Sequence, residues 1–368
     1  MKAAFLTGIR EMEIRDMPDP QIAAPDDVLV QIDAVGVCGS DVHYYTTGGI
    51  GSQRVEYPWT VGHECAGTVV EVGSGVSDLA AGQRVAVDPL STCGRCDQCL
   101  SGRSHTCRDQ AFLACPGQLP GALAEYIVMP AQCCFPVPET MNNDEVTIVE
   151  PLSIGLYAQR LAGENPPKRT AILGVGPIGL SVLLCLRAGG AEEIFVTDLL
   201  PERLKIAAAM GADWTGCHPS QDVVAEMLSR AELGMDCVFE CAGQQETLDQ
   251  CVQLLRPGGA MLTVGIPLVE RVSFNPDIMR RKEIRLQNVR RQNGCVQGAI
   301  DLISSGRIDV MPMVTHHFDL AGSREAFEMV ADYRDGVIKA IVNVSDQMVF
   351  GKDRTVRKPD GDYIDSRD

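Results

Sequence analysis

The chain has 368 residues, 45% of them hydrophobic: it is too long for one ordinary domain and apolar enough to fill sizeable cores, so two or three domains are expected. Its 49 acidic against 32 basic side chains give a formal charge of −17, which argues against nucleic acid or an anionic membrane as partner and favours a small soluble substrate. The apolar stretch Ala3 to Leu6, soon interrupted by Arg10 and Glu11, is too short for a secretory core, and no apolar run reaches membrane-spanning length; the fifteen cysteines are therefore read as thiols of a reducing compartment, metal ligands before disulfides.

The first half reads as β-rich, with strands predicted at Val28 to Val37, Gly67 to Val72 and Arg84 to Val87. Gly62, Gly67, Gly73, Gly75 and Gly82 punctuate them as turn residues. Between the first two strands stand Cys38-Gly39-Ser40-Asp41-Val42-His43 and Gly62-His63-Glu64. Cys, His and Glu are all zinc ligands, and three such groups plus an exchangeable water make a catalytic site, with Ser40 and His43 available as a proton path. Taken alone, the same residues fit a buried cysteine and a surface His-Glu pair equally well.

Cys93, Cys96, Cys99 and Cys107 follow at spacings of three, three and eight, a set that can close around one tetrahedral metal and leaves no open position. Disulfides or an iron–sulfur centre are the competing readings. Gly121 to Val128 is a further predicted strand. Glu150, set among Val149, Pro151 and Leu152, is either an exposed cap or a buried carboxylate in need of a partner, such as a metal. A helix is predicted over Leu152 to Leu161, then a linker at residues 163–167.

The texture then changes. Ala171 to Leu173 runs into Gly174-Val175-Gly176-Pro177-Ile178-Gly179 and an apolar helix, Leu180 to Ala188, and a second strand, Glu193 to Thr197, ends at Asp198, nineteen residues after Gly179. Strand, glycine turn, helix and an acid at this distance form a dinucleotide-binding fingerprint: the pyrophosphate sits on the helix N-terminus and the acid takes the ribose hydroxyls. The alternation continues with a helix at Pro201 to Met210, a strand at Cys237 to Glu240, a helix at Glu246 to Leu255, a turn at Pro257-Gly258-Gly259 and a strand at Ala260 to Val264, which implies a parallel doubly wound sheet. A helix at Val296 to Ser304 and a strand at Lys339 to Val344 close the ordered part. Residues from Ser345 onward read as a surface-draped or flexible tail.

Together, the motifs at Cys38 to His43, Gly62 to Glu64, the four cysteines, Glu150-Pro151-Leu152 and Gly174 to Gly179 resemble the zinc-dependent medium-chain dehydrogenases, most of all their sorbitol (polyol) branch. The resemblance implies an α/β fold in which a GroES-like β-rich catalytic domain is interrupted by a doubly wound Rossmann domain. The expected division is 1–151 (with a structural zinc lobe at 93–107), 152–289 for the dinucleotide domain, 290–344 as the return to the catalytic domain, and 345–368 as a polar tail. It implies catalytic zinc on Cys38 and His63 with Glu64 or Glu150, Asp41 orienting His63, and Ser40 and His43 as proton relay. It also implies a second zinc on the four cysteines.

NAD is the implied cofactor, at Gly174, Gly176, Pro177, Ile178, Gly179, Asp198, Arg203, Val264, Gly265, Ile266, Val289 and Arg290. Tyr44, Arg290 and Arg291 are the implied substrate residues, and Arg291 departs from the tyrosine often found there in the family. The implied reaction is oxidation of a sugar alcohol of the sorbitol or xylitol type at C2, by a homotetramer or dimer in the cytoplasm. Threonine, formaldehyde or simple alcohol dehydrogenases share these motifs. A non-catalytic zinc-stabilised nucleotide-binding scaffold is the alternative from outside enzymology, and the intact ligand set speaks against it.

Overall fold

The alternating run after Asp27 becomes β3, Asp27–Gly36, whose burial alternates as far as Gln31 and covers both faces from Ile32 onward, where other strands and a long helix pack on it. The structure is a computed structural model and describes residues 1–163, 167–267, 269–345, 356–357 and 363–364. In chain order the main elements of the first half are β1 (Lys2–Gly8), β2 (Glu11–Asp16), β3, α1 (Gly39–Thr47), β4 (Glu64–Val72), β5 (Arg84–Val87), α2 (Asp97–Leu100), β6 (Tyr126–Pro130) and β7 (Cys134–Pro136); β3 to β7 belong to the first large sheet, while β1 and β2 lie in a small separate one. β1 and β2 form an antiparallel hairpin, and β3 pairs antiparallel with both β4 and β6.

A single helix, α3 (Asn143–Ala162), leads out of this sheet. It starts where Asn142 and Glu145 cap each other, the Asn142 side chain accepting from the Glu145 amide and the Glu145 carboxylate from the Asn142 amide, both at 2.9 Å. The helix expected over Leu152 to Leu161 therefore begins much earlier, at Asn143. Pro151 in fact lies inside α3, at the expense of one backbone hydrogen bond, which the cap and burial of the surrounding turns offset.

The second sheet contains β8 (Arg169–Leu173), β9 (Glu193–Asp198), β10 (Trp214–Cys217), β11 (Met235–Glu240), β12 (Leu255–Thr263) and β13 (Arg285–Asn288), in the order β10-β9-β8-β11-β12-β13 and parallel throughout. Between its strands run α4 (Pro177–Ala188), α5 (Pro201–Ala209), α6 (Val223–Arg230), α7 (Gln245–Leu254) and α8 (Pro276–Arg281). After α9 (Val296–Ser304) the chain makes β14 (Val314–Asp319), α10 (Ser323–Ala331) and β15 (Lys339–Asn343), and β15 pairs with β3 of the first sheet.

Other expectations shift. Residues 121–125 are not a regular strand: Gly121, Ala122 and Leu123 donate to Thr60, Gly62 and Val61 instead, and the strand begins at Tyr126. Pro257 to Gly259 lie within β12 rather than in a turn between elements, and the register against β11 shifts there. The sequence pattern predicts no element at β1, β2, α1, α2, β7, β10, α6, α8, β13, β14 or α10. The tail from Ser345 onward falls outside the described residues, apart from Ser345 and the paired segments Val356–Arg357 and Tyr363–Ile364. Most of the predicted linker at 163–167 lies outside them as well.

α3 and α4 cross at Gly155, where an added Cβ would stand 2.6 Å from the carbonyl carbon of Ser181 and 2.7 Å from its oxygen. Gly155→Ala is expected to force the helices apart and to cost about 1–3 kcal/mol, read as a lower urea midpoint with an unchanged slope.

Candidate functional site

Cys38 ends the turn after β3 and starts α1, so one helical turn presents Ser40, Asp41, His43 and Tyr44 beside it. His63 is set opposite by Gly62, whose φ of 95° and whose closeness to Val35 (2.8 Å from a hypothetical Cβ) leave no room for another residue. The fully buried Asp41 brings Oδ2 to 3.0 Å from His63 Nδ1, a close ion-pair contact whose direction is not that of an aligned hydrogen bond. Burial opposes the charged form of His63, but Asp41 and Cys38 outweigh it and hold the imidazole pKa well above the usual value. Ser40 Oγ donates to Cys38 Sγ at 3.3 Å.

The two candidate glutamates have different surroundings. Glu64 is 1% exposed and accepts a 2.5 Å bond from Lys339 Nζ, which also donates to the Val37 carbonyl at 3.1 Å. Burial lowers the Lys339 pKa, yet Glu64 and Cys38 overcome this and keep it raised. Glu150, carried by α3, has a buried Oε2 with no hydrogen-bond partner. Its carboxyl is pushed up to about 7, first by burial and then by Glu64 and Asp88, with His63 and Lys339 opposing. An unpartnered buried carboxylate near a thiol and an imidazole is a donor set that a divalent cation completes, so Cys38, His63 and Glu150 fit a zinc ion. Their ligand atoms are nevertheless not gathered within 4.8 Å of one another, as those of the four cysteines are.

Cys93, Cys96, Cys99 and Cys107 form that tighter group, with Sγ separations of 3.4 Å (Cys93 to Cys107), 3.6 Å (Cys96 to Cys99) and 3.8 Å (Cys96 to Cys107). A tetrahedron with zinc–sulfur bonds of about 2.3 Å has edges of about 3.8 Å, whereas a disulfide needs about 2 Å. All fifteen cysteines are free. The amides of Arg108 and Cys99 bring the Cys96 thiol down to about 6, the direction a thiolate ligand needs.

The cofactor-side residues gather at the C-terminal ends of the parallel strands. A Cβ on Gly179 would stand 2.0 Å from the Gly174 carbonyl oxygen, so only glycine permits this turn into α4. Asp198 accepts from the amides of Val175 (2.8 Å) and Leu200 (3.0 Å), which fixes its carboxylate beside the glycine turn. Arg203 Nη1 lies 3.8 Å from that carboxylate, and its guanidinium lies 4.9 Å from the Tyr333 ring centroid. Val264 and Gly265 donate to the Glu240 carbonyl at 2.8 and 2.9 Å, Val289 donates to Thr263 at 2.9 Å, and Ile266 is exposed. Pro177 and Ile178 open α4, and Gly176 caps it.

On the catalytic side, Tyr44 donates to Gln53 Oε1 at 3.3 Å and Gln53 Nε2 to Cys115 Sγ at 2.8 Å. Arg290 is exposed, while Arg291 lies over Phe112, whose ring is 5.4 Å from that of His63. Lys339, Gln53, Phe112 and Cys115 were not singled out in the sequence, which offers no motif for them.

Two family models cover most of this architecture: an alcohol dehydrogenase GroES-like domain at residues 24–139 and a zinc-binding dehydrogenase at 177–305. Sorbitol dehydrogenase of Bacillus subtilis (strain 168) is 37% identical over 343 residues, 93% of this chain and 97% of that protein. L-Idonate 5-dehydrogenase of Vitis vinifera is 37% identical over 351 residues, 93% and 94% of the two chains. A solved zinc-binding dehydrogenase structure from Sinorhizobium meliloti 1021, bound to NADP, superposes with a TM-score of 0.85 at 30% identity, covering 93% and 99%. The chain belongs to the zinc-dependent medium-chain dehydrogenases.

This dehydrogenase is therefore an oxidoreductase that uses zinc and a nicotinamide dinucleotide, and among its described residues no helix is long and apolar enough to cross a membrane. Cys96→Ser opens the closed sulfur site; zinc analysis is expected to fall by about one ion per chain, with a lower melting temperature. The raised Glu150 carboxyl generates a pH test in metal-stripped protein. From its ordinary value of 4.5 up to about 7 the folded protein keeps a proton that the unfolded chain has lost. The native state is then the more protonated one, so stability falls as pH rises through that window. Glu150→Gln is expected to flatten this slope in urea midpoints measured across it.

Proposed function

We propose that this dehydrogenase oxidises a secondary alcohol of a polyol, at C2 of a sorbitol- or xylitol-type chain, and passes the hydride to NAD. The observation that carries the reading is the buried Glu150 carboxylate, with an unpartnered oxygen and within the field of His63, alongside polar groups able to meet several hydroxyls. Cys38, His63 and Glu150 would hold the catalytic zinc, with Glu64 set behind them on Lys339, and the four cysteines the structural one. When bound, the zinc supplies a Lewis acid that favours loss of the hydroxyl proton, and the nicotinamide supplies the hydride acceptor.

The chain's own groups do the rest. Ser40 stands beside Cys38, placed to take the substrate proton, and His43 follows one turn later on α1. Burial lowers the His43 pKa, so its imidazole is neutral near pH 7 and free to accept. Asp41 fixes the orientation of His63, the kind of contact that tunes a metal ligand. Tyr44 and Gln53 offer partners to substrate hydroxyls, which a plain alkyl alcohol would leave unmet.

Asp198 supports NAD over NADP, because its carboxylate can accept from a ribose hydroxyl and repels a 2′-phosphate. Arg203 would attract that phosphate, yet its charge is already shared with Asp198. A homo-oligomer, dimer or tetramer, in the cytoplasm completes the proposal: β13 is an edge strand with Leu286 exposed, next to the exposed Ile266, Val269 and Val272.

Rates of nicotinamide reduction with sorbitol, xylitol, threonine and a secondary alkyl alcohol test the reading. A polyol is expected to lead in kcat/KM; threonine or the alkyl alcohol leading by about tenfold, or about 1.4 kcal/mol, would overturn it. NAD is expected to exceed NADP in kcat/KM, the ratio falling in Asp198→Ala. Cys38→Ser is expected to abolish turnover while the protein stays folded.

A further inference from the structure

Arg291 stands in an uncommon place for a cation. Its φ of 52° lies in the left-handed region, and the side chain runs inward, so that the guanidinium carbon is 3.7 Å from the centre of the Phe112 ring. Gln110 Oε1, at 3.4 Å, is the polar group within its reach, and no carboxylate among the described residues pairs with it. Burial, with Arg290 beside it, brings its pKa down to about 10. A cation over an aromatic face gains less than the removal of an ion from water costs. The site therefore lacks a counter-charge.

The surroundings say where that charge would come from. Tyr44, Cys115, Glu150 and Asp88 are among the groups whose fields couple to Arg291 without pairing with it, and His63 and Arg291 both act on Cys115. All belong to the catalytic half. The glycine turn at Gly174 to Gly179, where a dinucleotide pyrophosphate sits, lies on the other sheet, so the missing anion belongs to the substrate side. Phe112 touches both the His63 ring and the Arg291 guanidinium, and the Tyr44 and Cys115 groups bonded to Gln53 couple to the same cation, a pattern suited to a hydroxylated chain with a charged end.

We propose that the substrate carries an anionic group, a carboxylate or a phosphate ester, at the end of its hydroxylated chain remote from the reacting carbon, and that Arg291, with Arg290 at the rim, binds it. This rests on the polyol reading and narrows it. The anion is held and not transformed: hydride still leaves the carbinol carbon for the nicotinamide, and the hydroxyl proton leaves through Ser40. The chain's charge of −17 works against such a substrate at long range, but the arginines act within a few ångströms, where ionic screening is weak.

The test compares kcat/KM for sorbitol, gluconate and sorbitol 6-phosphate with NAD. One of the two anions is expected to exceed sorbitol at least tenfold, gluconate if the site takes a carboxylate and the phosphate ester if it takes a phosphate. Arg291→Gln is expected to shrink the anion-to-sorbitol ratio at least tenfold, and Arg291→Lys to restore part of it. In the unaltered protein, the preferred anion is expected to inhibit sorbitol oxidation competitively against sorbitol and not against NAD. Sorbitol leading both anions would overturn the inference and leave the polyol reading standing. So would a uniform loss in Arg291→Gln with a raised KM for NAD, which makes Arg291 a cofactor residue. Turnover of threonine or an alkyl alcohol alone removes the polyol reading, and this inference with it.

Discussion

A lysine ammonium buried to 1% exposure ties together the two segments that carry Cys38 and His63. Lys339 reaches from β15 to the Glu64 carboxylate and to the Val37 carbonyl, so one cation fixes the residue after His63 and the residue before Cys38. Removing one partner of such a pair leaves an uncompensated buried charge and typically costs about 3–5 kcal/mol. The cation is delivered by a strand that enters the first sheet only after the whole second sheet has been traversed. The first 150 or so residues alone would bury Glu64 without it. The return of the chain is thus an electrostatic requirement of the centre as well as a feature of topology.

Around this pair the charges are arranged by purpose. Asp41 has no donor other than the His63 ring near it, and Glu64 is neutralised by Lys339. Asp88 is held by Gln292 at 2.7 Å and pushed up to about 6 by burial. Glu150 Oε2 is buried with no hydrogen-bond partner, as are both Asp41 oxygens, of which Oδ2 stands against the His63 ring, and among the described residues no carboxylate pairs with Arg291. A protein stabilised only by packing would have little reason to keep either; both are incomplete in the way binding sites are.

The parts legible in the sequence were those in which chemistry dictates residue type at short spacing. Four cysteines within fifteen positions, and glycines that must admit a neighbouring backbone, leave few alternative explanations. Lys339 lies 275 residues from Glu64, and nothing in its local context marks it. Gln53 and Cys115 meet across 62 residues in the same way. Tertiary burial and the Asn142–Glu145 cap carry α3 through Pro151, and the spacing around Leu152 does not show that reach toward the N-terminus. The strand Trp214–Cys217 is four residues long and includes Gly216, too short for alternation to show. Which glutamate stays free could not be read from sequence, because the answer depends on where Lys339 arrives.

α3 has a consequence for movement. Its first half packs on β3, β4 and β5, and its second half on α4 and α9, so the two halves of the molecule share one continuous rod. If the cleft between the sheets opens and shuts around a dinucleotide, this rod is the natural axle. Glu150 sits close to its midpoint, where a rotation displaces atoms least. A carboxylate placed at a pivot keeps its position while the two sheets turn about it, so the groups around it need not be rearranged in each cycle.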